Sequence, residues 1–171
     1  MHAEIKKVCF GPDDNIAEFV IQQIDQAETN IKLMVFWLTW KPIADALLRA
    51  KKRNVEINII LDSRSAEKKQ KDVDLQNEVV VPNYLNQNGI QEKDIKIYEG
   101  ELLHHKVILI DKKFIMMGSS NFFNASLLRH EENYMLIESQ ELYDIFSKRF
   151  NFLWEQKTKQ LDTYTIKYNQ K

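Results

Sequence analysis

The segment His104-His105-Lys106-Val107-Ile108-Leu109-Ile110-Asp111 holds the residues best suited to chemistry in this sequence. Its apolar run reads as a strand buried on both sides, and successive strand side chains point to opposite faces. His104 and Lys106 then share one face, and His105 takes the other. An imidazole beside an ammonium suits a phosphate group: the imidazole attacks phosphorus while the ammonium neutralises charge on oxygen. Asp111 lies five residues beyond Lys106, roughly 16 Å along a strand that rises about 3.3 Å per residue. That is too far to touch the same phosphate, so a structural role at the following turn is expected.

Gly118-Ser119-Ser120-Asn121 begins seven residues after Asp111, at the end of a second strand expected over residues 114–117. Glycine permits close approach, and the Ser119 hydroxyl and Asn121 amide can donate to phosphate oxygens. Glu131 and Glu132 open the next expected strand. A carboxylate from this pair, bonded to the far nitrogen of His104, would fix the tautomer of the ring and stabilise the imidazolium.

Together these residues resemble the signature of the phospholipase D superfamily, H-x-K-x(4)-D-x(6)-G-S-x-N. It is matched here at His104, Lys106, Asp111, Gly118, Ser119 and Asn121 with every gap intact. Phe10-Gly11-Pro12 is similar to the family's first-strand exit, and residues 30–39 and 47–62 to its next strand, helix and strand. The likeness is in particular to the small bacterial endonucleases that carry one copy of the motif. It implies a covalent phosphohistidine at His104, no metal or other cofactor, and Glu132 as the downstream acid. Phe122-Phe123-Asn124 departs from the family's usual Phe-Asn or Phe-Thr after the motif.

The elements that must position these residues alternate along the chain, as in an α/β fold. Strands are expected over residues 5–10, 31–38, 55–61, 95–98, 104–110, 114–117 and 133–137. Helices are expected after Asp13-Asp14, after Pro42 at a first-turn position, over residues 65–75, and over 141–154 with an apolar stripe. The expected architecture is a mixed central sheet flanked by helices on both faces. Residues 1–155 form one catalytic domain in this reading, and the polar residues 156–171 form a tail that is either loose or the point where a longer chain was cut.

The sequence has 171 residues, of which 44% are hydrophobic and 29% charged, a balance that supports a real core. A net charge of −1 excludes a globally basic grip on polyanions, so any nucleic-acid contact must be local. Cys9 is the only cysteine, which rules out an intrachain disulfide. The first eleven residues lack a signal-peptide pattern, and the longest apolar run is too short to cross a bilayer. A soluble cytoplasmic protein without a membrane partner is expected.

A single histidine cannot be both nucleophile and leaving-group acid in one in-line displacement. One copy of the motif therefore points to a homodimer that brings two histidines together at a twofold axis. The leading expectation is a metal-independent endonuclease acting on DNA or RNA. The alternatives are a phospholipid phosphodiesterase of the cardiolipin type, a catalytic module of a larger restriction or defence enzyme with recognition elsewhere, and a non-catalytic binding domain. Trp37 and Trp40 are candidates to stack on a base, with core packing an equal competing role at least for Trp37. Arg64 is a candidate for a flanking phosphate, and Arg129-His130 a weaker one. Lys51-Lys52-Arg53 and Lys68-Lys69 read as solvated helix faces. A zinc site from His104, His105 and Glu132 is disfavoured because adjacent strand residues diverge. Ser119 lacks the G-x-S-x-G elbow of a hydrolase nucleophile.

Overall fold

A computed structural model of the chain describes residues 2–66 and 77–161. The expected helical residues 67–75, the Lys68-Lys69 pair and residues 162–171 of the tail lie outside the described residues. β1 (Glu4–Gly11) leads to α1 (Ile16–Gln26), where Asn15 caps the helix by accepting from the Glu18 amide at 2.9 Å. Asp14, expected to open α1, instead accepts from the Phe10 amide at 2.8 Å and closes the preceding turn. β2 (Asn30–Val35), α2 (Lys41–Lys52) and β3 (Glu56–Asp62) follow. Pro42 sits in the first turn of α2, where its missing N–H costs nothing. Asn54 leaves that helix in the left-handed region, with φ of 67°.

The short helix α3 (Ser63–Ala66) precedes the undescribed stretch, and α4 (Val81–Gln87) leads to β4 (Ile95–Tyr98). β5 (Lys106–Ile110) and β6 (Phe114–Gly118) form the hairpin. α5 (Asn124–Leu128), β7 (Glu132–Glu138), α6 (Gln140–Gln156) and β8 (Thr158–Gln160) complete the described chain.

Among the described residues the strands form one eight-stranded sheet in the order β1-β7-β6-β5-β2-β3-β4-β8. β2, β3 and β4 run parallel and the other neighbours are antiparallel. Alternating side chains divide the core. Leu33, Val35, Ile59, Leu61, Ile108 and Ile110 pack with α1 and α2 on one face. Met34, Ile60, Val107, Leu109 and Ile115 pack with Tyr143, Phe150 and Leu153 of α6 on the other. The sheet with helices on both faces is the architecture expected from the sequence.

Further expectations need correction, among them the strand expected over residues 31–38, which ends at Val35. The sheet does not stop at residue 155: Thr158–Gln160 pairs antiparallel with β4, and Leu161 is buried. Main-chain bonding gives these polar residues a place that hydrophobic periodicity cannot reveal. The expected strand over residues 104–110 begins only at Lys106, although the His105 carbonyl still accepts from the Phe36 amide at 3.0 Å.

Asp111 ends β5 with φ of 52°, and Lys112 follows at 60°. The Asp111 carboxylate accepts from the backbone amides of Glu28, Thr29 and Asn30 at 2.8–3.3 Å and from the Thr29 hydroxyl at 3.0 Å. It thus fixes the α1–β2 connection to the turn of the β5–β6 hairpin. Asp111→Ala strands those donors and is expected to cost about 2 kcal/mol, since bonds to a charged acceptor contribute roughly 1.5–3 kcal/mol. Thermal unfolding followed by circular dichroism should fall by about 4–8 °C. An unchanged midpoint would show that water replaces the anchor.

Candidate active site

The residues of the motif gather at one end of the sheet. β2 and β3 end there, β6 ends there at Gly118, and β5 and β7 begin there. Open α/β sheets place ligand sites in such a position, beyond the carboxyl ends of parallel strands. Lys106 pairs with Val35 and lies on the same sheet face as Ile108 and Ile110. Glu132 pairs with Gly11 and lies on the face of Tyr134, which belongs to the same core layer.

Lys106 is buried, with 6% of its surface exposed, whereas His104 is exposed. The Lys106 ammonium lies 3.1 Å from both ring nitrogens of His104 and donates to the His104 carbonyl at 3.0 Å. Tyr134 donates its hydroxyl to the Lys106 carbonyl at 3.3 Å, which steadies the start of β5 from below. Burial strips water from the ammonium and holds its pKa below the ordinary value of 10.5, with the Glu132 charge opposing that shift. Lys106 therefore loses its proton at a lower pH than an exposed lysine does. Competitive inhibition by inorganic phosphate, which needs the cation, is expected to weaken as pH rises, before 10.5 is reached. Lys106→Gln should bind phosphate weakly at every pH. A wild-type affinity flat to 10.5 would contradict this reading of the site.

Gly118 allows β6 to lie tight against β7. A Cβ here would strike the Asn133 carbonyl and come within 2.8 Å of the Tyr134 Cα. Beyond it, the Ser119 amide donates to the Asn133 carbonyl at 3.0 Å and the Asn133 amide to the Ser119 hydroxyl at 3.0 Å. The Ser119 hydroxyl itself donates to Glu132. Ser126 donates to the other Glu132 oxygen at 2.8 Å and accepts from the Asn121 amide N–H at 2.9 Å. The two carboxylate oxygens thus shape the loop from Ser119 to Ser126. The sequence suggested a bond from this carboxylate to His104. Within the described residues its partners are the two serines, because they reach it locally. Nothing in the spacing signalled Ser126, whose contribution comes through α5, a helix too short to show a periodic pattern.

The Asn121 side-chain oxygen is buried and has no hydrogen-bond partner. That oxygen can only accept, so it calls for a donor such as an ordered water, while the amide nitrogen of the same side chain is the group able to donate to a phosphate oxygen. His105 is half-buried. With His104, Tyr98, Leu102, Leu103, Arg149 and Leu153 it lines a cleft of about 340 Å³. Burial lowers its pKa, and the Arg149 charge adds to the effect.

Two substrate-contact candidates sit differently from expectation. Trp40 is 7% exposed and packs in the core beneath the start of α2, so it offers no face to a base. Trp37 keeps partial exposure instead. The Arg64 guanidinium pairs with Asp62 at 3.1 Å and donates to the Glu101 carbonyl at 3.0 Å. Asp62, 1% exposed, also accepts from the Leu103 amide at 2.8 Å. Arg64 and Asp62 therefore hold the segment that leads into His104, a role the sequence hid because the partners lie far apart along the chain. Among the described residues no group of three or more His, Cys, Asp or Glu side chains is placed to hold a metal ion. No helix among them is long and apolar enough to cross a membrane.

Residues 20–154 match the family described as cardiolipin synthase, PLD-like domain. A phospholipase D of Rickettsia typhi is 32% identical over 138 residues, which cover 81% of this chain and 62% of that protein. The chain thus spans a little under two thirds of the length of such relatives. The crystal structure of Nuc from Salmonella typhimurium, a phospholipase D family member, superposes with a TM-score of 0.74 at 26% identity, covering 91% of this chain and 97% of that one. NucT from Helicobacter pylori shares the fold with a TM-score of 0.78 at 17% identity, covering 91% and 98%.

Proposed function

Since the chain belongs to the phospholipase D superfamily, we propose that it is a phosphodiesterase, specifically an endonuclease acting on DNA or RNA as a homodimer. The observation that carries this reading is the Lys106 ammonium, buried and packed against the exposed imidazole of His104. An incoming phosphate draws the ammonium onto its oxygens and uncovers the imidazole nitrogen. That nitrogen attacks phosphorus, a P–N bond forms and the P–O bond to the leaving group breaks. The leaving oxygen takes a proton from the His104 imidazolium of the partner subunit. Water then gives a proton back to that imidazole and attacks phosphorus, and the P–N bond breaks. Both histidines return to their starting states, one neutral and one protonated, so their titration belongs to the pair.

Asn121 donates its side-chain amide to the phosphate oxygens in this scheme, Ser119 joins it only by turning its hydroxyl proton away from Glu132, and Glu132 otherwise holds their loop in place. Lys106 supplies the positive charge that a metal ion supplies in other phosphodiesterases. The choice of nucleic acid over lipid rests on the single motif and the likeness of the whole domain to the small endonucleases. The family description also names cardiolipin synthase, so a lipid diester is the second reading. Incubation in EDTA with single- and double-stranded DNA, RNA, bis(p-nitrophenyl) phosphate and cardiolipin separates the two. Cleavage of nucleic acid is expected. Cleavage of cardiolipin alone would overturn the substrate choice.

A further inference from the structure

Aromatic rings form a continuous track that starts at the catalytic end of the sheet. Phe36 lies 5.3 Å from His104 between ring centroids, and Trp37 lies 5.5 Å from Phe36. Phe123 follows at 6.2 Å from Trp37, and His130 at 6.0 Å from Phe123. Phe36, Trp37 and Phe123 are partly exposed, while His130 and its neighbour Arg129 are exposed. The rings come from the exit of β2 and from the loop and helix after β6, two segments joined by main-chain bonds. The Phe122 amide donates to the Trp37 carbonyl at 2.9 Å, and the Thr39 and Trp40 amides donate to the Phe122 carbonyl at 2.9 Å. The two segments that carry the rings are therefore held together through their backbones.

From this geometry we infer that the track binds the unstacked bases of a single-stranded nucleic acid and leads its backbone to His104. The inference rests on the nuclease reading of the His104 site and adds the form of the substrate. A duplex hides its base faces in its own stack, so only an unpaired strand can lay bases on protein rings. The track has room for about two or three bases, as on other aromatic platforms. The charge balance points the same way. With a net charge of −1 the chain has no overall basic field to draw in a polyanion, so backbone contacts are local and few. Base faces supply the grip, and Arg129 at the far end meets one phosphate.

Fluorescence anisotropy with the uncleaving variant His104→Asn tests this directly. The probes are a thymidine dodecamer, the same length of duplex, and an abasic dodecamer that keeps every phosphate. The thymidine strand is expected to bind at least ten-fold more tightly than either comparator, with a shallow dependence on salt. Trp37→Ala with Phe123→Ala should remove that advantage, and Trp37→Phe should retain most of it, which separates stacking from misfolding. Equal binding of the abasic strand, or tighter binding of the duplex, would overturn the proposal. So would displacement of the dodecamer by cardiolipin–phosphatidylcholine vesicles that depends on Trp37, since the rings would then serve a lipid surface. The outcome is independent of turnover: a wild type that cleaves no phosphodiester would sink the reading of His104 while leaving base-dependent binding to decide the track.

Discussion

His104→Ala is expected to lower kcat by at least about 10⁴-fold, or about 5.4 kcal/mol of barrier, as for removal of a nucleophile in other enzymes. The proposed mechanism leaves the phosphate no alternative attacking group. Ser119 is tied to Glu132, and the ring that the Lys106 ammonium meets is that of His104. Lys106 keeps its charge in the variant, so binding of inorganic phosphate should survive while turnover disappears. EDTA should leave the wild type unaffected. Acid quenching during turnover should trap phosphate on histidine, and only when His104 is present. Loss of wild-type activity in EDTA, restored by a divalent cation, would refute the mechanism.

The second large effect is expected from mixing subunits. A dimer assembled with one wild-type chain and one His104→Ala chain, purified by two different tags, should retain below about 1% of wild-type activity. Two independent sites would retain half. The expectation follows from in-line geometry under the proposed mechanism, in which the imidazole that attacks and the imidazole that protonates the leaving oxygen come from different subunits. His104 is exposed in the single chain, as a group that must meet its counterpart across an axis has to be. Sedimentation at assay concentration provides the companion measurement. A monomer that turns over substrate there would end the two-subunit account.

Much of this arrangement was legible in the residues. The alternation of apolar runs predicts the strands, because a sheet with helices on both faces imposes long buried stretches such as residues 106–110. The motif could be read because its residues occupy strand ends at fixed distances along one hairpin and the loop after it. Contacts between distant segments left no such trace. The sequence raises core packing above all for Trp37, yet Trp40 is the one buried while Trp37 stays partly open. Arg64 resembles a phosphate ligand until Asp62 and the Glu101 carbonyl are seen to occupy it. β8 is made of Thr, Lys and Gln, and only the free edge of β4 explains why those residues extend the sheet. Ser126 gains its importance from Glu132, a residue whose position depends on the β6–β7 register.

The aspartate in the middle of the signature behaves differently from its companions. Asp111 stands at the far end of β5 from Lys106 and clasps residues 28–30, about eighty positions earlier in the chain. A search that weights all letters of such a signature equally therefore mixes two kinds of requirement, one for reactivity and one for assembly. A homologue that kept Asp111 but had lost His104 or Lys106 would still fold correctly and make a sound scaffold for a different purpose. The reverse loss would leave a competent set of reactive groups on a protein that accumulates poorly in cells. Shortfalls of yield and shortfalls of rate should thus map to opposite ends of the same five-residue strand.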